Sequence, residues 1–339
     1  MSFVQSMAAL GLVLALTGLP AADEAHAADR VNPFLKAKTW GYQLRNLESA
    51  ERAKIAASPF DLVVTDYARG ENRNEIPLTR DEVEAMKARP DGSKRLIIAY
   101  LSIGETENYR SYWKPEWDKQ RPAWMGKENK EWRANYLAKY WEPEWQKIIF
   151  GSPEAYIDRV LAAGFDGFYF DRVDAYYYFG DNEDVRKKMR DFIVKLANYV
   201  RAKKPDAAIM VQNAEELLTS KDYVEAIDGI AKESLFYGIK GADKLNPQSD
   251  IVETTDLLKK ASGQGKAIFV VEYLKDKKNV ADAAARMDKL GWSLYIGTRG
   301  LARLGKNSLE PAAPDADDFD EIGAIEKKSA TKKKSAKAN

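Results

Sequence analysis

Eight short apolar runs punctuate the sequence from residue 39 onward, and they are mostly continuous rather than alternating with polar residues. They are TWGYQL (39–44), DLVVTDY (61–67), RLIIAYLSIGE (95–105), GFYFD (167–171), AAIMVQN (207–213), DGIAKES (228–234), AIFVVEYL (267–274) and WSLYIGT (292–298). Continuous apolarity is what a strand needs when both its faces are covered, as in parallel sheets. Helical patterns lie between the runs. Residues 152–164, SPEAYIDRVLAAG, offer Ser152 as N-cap, Pro153 at the first helical position and Gly164 beyond the end. Residues 182–204 put Val185, Met189, Phe192, Ile193, Leu196, Tyr199 and Val200 on one face, and 278–291 read likewise. Eight strands alternating with helices over about 270 residues is the arithmetic of a (β/α)8 TIM barrel, an α/β fold. The alternative is a doubly wound open sheet, but no Gly-rich phosphate loop follows the first run.

One connection is unusually long. About 36 residues between Glu105 and Glu142 hold Trp113, Trp117, Trp124, Trp132 and Trp141, five of the eight tryptophans. They predict a long Trp-rich loop after the third strand, and long loops on such scaffolds usually carry function. YWKPEW (112–117) is echoed by YWEPEW (140–145), although Pro followed by Glu is also ordinary helix-start chemistry.

The ends of the chain read differently. MAALGLVLALTGLP (7–20) is too short to span a bilayer, and Ala25-His26-Ala27 has the small-residue form of a cleavage site. The expected division is a signal peptide over 1–27, one barrel domain over 31–312 and a Lys-rich, disordered tail over 313–339. That division implies a periplasmic or secreted protein. His26 is the only histidine and there is no cysteine. Past the leader, Ser-His-Asp triads, Cys-His pairs and zinc sites of thiolate or imidazole are therefore excluded. Chemistry falls to Asp, Glu, Lys, Tyr, Ser or an oxygen-bound metal. With 53 basic against 52 acidic residues, nothing draws the chain to nucleic acid. A monomer with no membrane span and no cofactor is expected.

Acidic residues gather where the runs end. Asp66 closes the second, Glu105 the third, and Asp171 with Asp174 the fourth; Glu215 and Glu216 follow the fifth, Glu233 the sixth, and Glu272 lies in the seventh. In a barrel these ends form the catalytic face. Any single acid there is an ordinary cap or ion-pair partner, but so many predict a strongly acidic rim. Two chemistries use such a rim without histidine: glycoside cleavage by a carboxylate pair, and Mg²⁺ binding. The aromatic content, 8 Trp and 17 Tyr, favours the first, because sugar faces stack on rings. A sugar-binding barrel without turnover would keep the same cleft.

AYLSIGETENYRSYW (99–113), NYLAKYWEPEWQKIIFG (135–151), GFDGFYFDRVDAY (164–176), VQNAEELL (211–218) and IDGIAKESLFY (227–237) together resemble glycoside hydrolase family 114, the endo-α-1,4-polygalactosaminidases, over about residues 39–300. The resemblance implies a TIM-barrel hydrolase of partly deacetylated, galactosamine-rich exopolysaccharide such as that of biofilms. It implies catalytic acids at the ends of the fourth and sixth strands: Asp171 as nucleophile and Glu233 as acid/base, with Asp174 able to exchange roles with Asp171. A cationic amino sugar would give Asp66, Glu105, Glu107, Asp174 and Glu272 ammonium groups to pair with. Further substrate contacts are expected from Tyr67, Tyr109, Trp113, Tyr176, Gln212, Asn213, Glu215 and Tyr273.

Overall fold

The structure, a computed structural model, describes residues 30–70 and 74–313. The expected leader and, apart from Ala313, the expected tail lie outside the described residues. All eight expected strands are present: β1 (Trp40–Gln43), β2 (Leu62–Thr65), β3 (Leu96–Ser102), β4 (Gly167–Asp171), β5 (Ala208–Gln212), β6 (Gly229–Glu233), β7 (Ala267–Glu272) and β8 (Ser293–Ile296). They form one parallel sheet in sequence order, each strand paired with the next. Ser293 Oγ donates to Lys38 O across the β8–β1 seam (3.1 Å), and the Trp40 and Tyr295 rings lie 5.9 Å apart there. The result is a nearly closed (β/α)8 barrel. Its helices are α1 (Ser49–Ala57), α2 (Arg80–Lys87), α3 (Pro143–Ile149), α4 (Tyr156–Ala162), α5 (Glu183–Lys203), α6 (Lys221–Ala226), α7 (Gln248–Gly263) and α8 (Lys277–Leu290).

Aromatic rings fill the barrel. Tyr42 on β1 and Tyr169 on β4 belong to non-adjacent strands, so their 5.1 Å ring separation is a contact across the interior. Trp40 reaches Phe269 of β7 at 5.5 Å, and Tyr100 of β3 lies 6.2 Å from Tyr169. Rings here take the place that branched aliphatics usually hold in such barrels. Much of the aromatic content therefore belongs to the core.

The opposite, amino-terminal face uses acids for structure. Asp61, Asp166 and Asp228 each follow an apolar residue and precede β2, β4 and β6. Each carboxylate accepts an amide from the start of the preceding strand: Thr39 N at 3.0 Å, Ile97 N at 2.9 Å and Ile209 N at 2.8 Å. Each carbonyl takes an amide from the start of the following strand. Each also pairs with a cation: Arg89 at 2.5 Å, Lys87 at 2.9 Å and Arg201 at 3.0 Å. Three copies of one device fix the strand starts, and the acids at the other face are left for chemistry.

Two local expectations need correcting. α4 starts at Tyr156 with Ala155 as N-cap, because Gly151 (φ +110°) turns the chain and Ser152 O accepts from Ala155 N in a separate turn. The segment after β3 is structured rather than a loop. Residues 105–107, 125–128 and 135–138 make a three-stranded antiparallel sheet with 135–138 in the middle. Its tryptophans are mostly packing: Trp113–Trp117, Trp117–Trp124 and Trp124–Trp145 form a chain of rings at 5.5, 5.4 and 5.2 Å. Trp145 Nε1 anchors that chain to Ile103 O at 2.9 Å. Trp141 packs against Tyr140 and Phe179. The expected face of α5 is buried apart from Tyr199, which is half-buried and donates to Asp158 Oδ1, and Asn182 caps the helix start through Asp184 N and Val185 N.

Candidate active site

The carboxyl ends of the strands open into one cavity of ≈1160 Å³, floored by Tyr42 and Tyr100. Asp171 ends β4 two residues beyond Tyr169, so strand alternation turns it to the same inward side. Both its oxygens are occupied: Oδ2 accepts from the Tyr100 hydroxyl (2.7 Å) and Oδ1 from Arg172 N (2.6 Å). Burial pushes the Asp171 carboxyl up to about 7, against the pull of Arg172 and Tyr100. Arg172 then leaves the strand in the left-handed region (φ +59°), an uncommon place for a residue with a Cβ. Its guanidinium is held by Glu105 at 2.9 Å, stands 3.7 Å from Asp174, beyond hydrogen-bond range, and lies over the Tyr178 ring.

Glu233 ends β6. Its Oε2 accepts from Gln212 Nε2 (3.0 Å), its backbone amide donates to Asn213 Oδ1 (3.1 Å), and the Tyr273 hydroxyl hydrogen-bonds it as well. Arg299 Nη1 stands 3.9 Å from its Oε1, beyond hydrogen-bond range. Asn213 sits at φ +56°, a conformation its side chain tolerates and which aims it back at β6. Gln212 in turn lies 3.5 Å from the Tyr42 hydroxyl. A connected polar layer therefore joins β1, β5, β6 and β7 directly above the aromatic floor.

Beyond that layer the acids do not stand free. Nine carboxylates and six arginines line the cavity, and most are partnered. Arg110, 5% exposed, binds Asp66 through both terminal nitrogens at 2.8 Å, Glu107 at 2.5 Å and Glu75 at 3.2 Å. Burial raises the carboxyls of Asp66 and Glu107 while Arg110 opposes the shift. Glu105 is likewise raised by burial and held by Arg172 and Asn129. Arg110→Met leaves three buried carboxylates without a counter-charge, and the expected loss is about 3–5 kcal/mol of stability. Urea unfolding reads it directly, and a loss under about 1 kcal/mol would mean that Arg110 does not neutralise this cluster.

Ten of the fifteen expected site residues line the cavity: Asp66, Glu105, Glu107, Tyr109, Asp171, Asp174, Gln212, Asn213, Glu233 and Tyr273. Five lie elsewhere. Tyr67 packs edge-on to Tyr156, and Trp113 is buried against Tyr136 with its Nε1 on Asp118. The Tyr176 hydroxyl donates to Glu216 (2.6 Å), and Glu215 pairs with Lys232 (3.1 Å). Glu272 is wholly buried outside the barrel lumen, where it accepts from Phe236 N (2.7 Å), and burial pushes its carboxyl up to about 8. Sequence reasoning passed over the arginines. Arg110 and Arg172 sit inside the quoted motifs NYRSYW and FDRVD, and a cation beside strand-end acids was the available signal. Of the five tryptophans between Glu105 and Glu142, Trp132 alone lines the cavity.

The profile of Glycoside-hydrolase family GH114 matches residues 20–315. An uncharacterized protein of Methanocaldococcus jannaschii is 38% identical over 257 residues, 74% of this chain and 70% of its own length. One from Deinococcus radiodurans is 33% identical over 268 residues, 78% of this chain and 82% of its own. Among solved structures, the glycoside hydrolase domain of PelA from Pseudomonas aeruginosa superposes with a TM-score of 0.60 at 18% identity, covering 82% of this chain and all of that domain. That likeness is one of fold, and it is to a glycoside hydrolase barrel. With a family profile covering most of the chain and relatives above 30% identity, this protein belongs to glycoside hydrolase family GH114.

Proposed function

We propose that the protein hydrolyses α-1,4 bonds within a galactosamine-containing exopolysaccharide outside the cytoplasm, with Asp171 as nucleophile and Glu233 as general acid and base. One observation carries this reading. Among the inward-facing carboxylates at barrel strand ends, these two have hydrogen-bond donors but no guanidinium within hydrogen-bond distance. Asp66 and Glu107 are bound by Arg110 and Glu105 by Arg172, while Asp174, in the turn after β4, stands 3.7 Å from Arg172 Nη1. β4 and β6 flank β5, so their ends are ~10 Å apart at the backbone, a gap that two inward side chains narrow toward a retaining pair.

Asp171 attacks the anomeric carbon while Glu233 gives its proton to the departing glycosidic oxygen. Glu233 then removes a proton from the water that opens the glycosyl–Asp171 ester. The Tyr100 hydroxyl fixes the attacking carboxylate in orientation, and burial makes it more basic than a solvated one. The excess of carboxylates over arginines leaves the cavity negative, which draws in a polymer carrying ammonium groups.

The direct experiment is reducing-end release from deacetylated α-1,4-galactosamine polymer by protein lacking residues 1–27. Release by wild type is expected; a protein that never cleaves this polymer sinks the substrate assignment. A pH profile separates the roles. With an uncharged aryl glycoside as substrate, kcat/KM rises with pH through about 7 as Asp171 ionises. A profile that falls through about 7 would reverse the two roles.

A further inference from the structure

Three elements meet above Glu233. Arg299, in the loop after β8, places its guanidinium 5.3 Å from the Tyr273 ring centroid and 5.8 Å from that of Trp132. Its Nη1 lies 3.9 Å from Glu233 Oε1. Trp132 comes from the insertion after β3 and is held there by Asn129, whose Oδ1 accepts from Trp132 N while its Nδ2 donates to Glu105. The Arg299 loop is tied to the end of β1: Leu301 O accepts from Leu44 N at 2.8 Å, and Gly300 O accepts from Arg45 Nε at 2.8 Å. All four side chains, Trp132, Tyr273, Arg299 and Glu233, line the cavity.

The two sides of the cavity differ in how their charges are paired. The acids of the arc from β2 to β4, Asp66, Glu105, Glu107 and Asp174, share that arc with Arg69, Arg110, Arg133 and Arg172, whereas the β8–β1 arc brings Arg299 and Arg45 with Glu48. A sugar entering beside Glu233 meets the Arg299 guanidinium, which stands 5.8 Å from the Trp132 ring and 5.3 Å from the Tyr273 ring. We propose that Arg299 is a specificity residue, making the subsite beside Glu233 one for a neutral N-acylated sugar and against a free amine. This rests on the polysaccharide reading above and names which sugar that end of the cavity accepts. An amide carbonyl takes hydrogen bonds from the guanidinium, and its methyl lies on the Trp132 face. An ammonium at the same place is repelled by a like charge a few ångströms away.

The test is calorimetric binding of short α-1,4-galactosamine oligomers, fully N-acetylated or fully free, to Asp171→Asn protein and to the same protein with Arg299→Gln. Whatever the overall preference, Arg299→Gln shifts the ratio of free-amine to acetylated affinity toward the free amine by about tenfold. Arg299→Lys keeps the wild-type preference. The shift shrinks between about 50 mM and about 500 mM salt, as a charge effect must and a packing effect does not. A ratio unchanged within about twofold, or a shift toward the acetylated sugar, overturns the proposal while leaving the polysaccharide reading intact. If neither oligomer binds either protein, both fall together.

Discussion

Asp171→Asn lowers kcat on the galactosamine polymer by about 10³- to 10⁴-fold while the polymer still binds. The amide is isosteric with the carboxylate: its oxygen keeps Arg172 N as donor, while its NH2 donates to the Tyr100 hydroxyl oxygen instead of accepting from it, and it cannot attack the anomeric carbon. The same substitution has an opposite effect on stability. Burial holds the folded-state pKa of Asp171 at about 7, above that of a solvated carboxyl, so the folded chain binds this proton more tightly than the unfolded one. Stability from this group is present at low pH and is lost as pH rises through about 7. At pH 8 the wild type therefore carries a charge that the fold disfavours, by on the order of 2–4 kcal/mol. Asp171→Asn removes it, so the variant unfolds at higher urea than wild type at about pH 8, and the advantage shrinks as pH falls and is gone below about pH 4, where both forms are protonated. An inactive variant that is also less stable at the higher pH would show a damaged fold, and the loss of activity would then say nothing about a nucleophile. The trade between stability and activity is the one expected of a buried functional charge.

Glu233→Gln is the second large effect. Without a proton donor, cleavage of the natural sugar linkage falls by about 10²- to 10⁴-fold. An aryl glycoside whose leaving group needs no proton loses far less in its first step, so the deficit grows with the basicity of the leaving group. The substituted amide still has Gln212 and the Asn213 side chain beside it, so no broad rearrangement is expected. Equal losses on both substrates would deny Glu233 the acid role, even if the variant were inactive.

The barrel was legible because a buried parallel strand has only one composition available. GFYFD, AAIMVQN and AIFVVEYL cannot face water, and their spacing leaves room for a helix each time. The positions of Asp171 and Glu233 at strand ends followed from the same runs. What the local pattern could not convey was partnership. Asp66 and Glu107 look like free rim acids until the fold brings Arg110 between them. Trp113, Trp117 and Trp124 look like a sugar platform until they are seen to pack on one another, joining the insertion to Trp145. Burial of aromatics and neutralisation of acids are tertiary facts. Glu272 shows the limit most plainly: it lies in an apolar run like the others, but it ends one residue out of phase with the lumen, under the backbone of Phe236. The alternation of a strand was the signal that could have separated it from Tyr273, the neighbour that does reach the cavity.

The most direct measurement is intact-protein and peptide mass spectrometry of Glu233→Gln after brief exposure to an activated galactosaminide. With attack intact and hydrolysis slowed, a single glycosyl adduct is expected on the peptide holding Asp171, absent when Asp171→Asn is added. An adduct on Asp174, or steady turnover with no adduct at all, would contradict the nucleophile assignment.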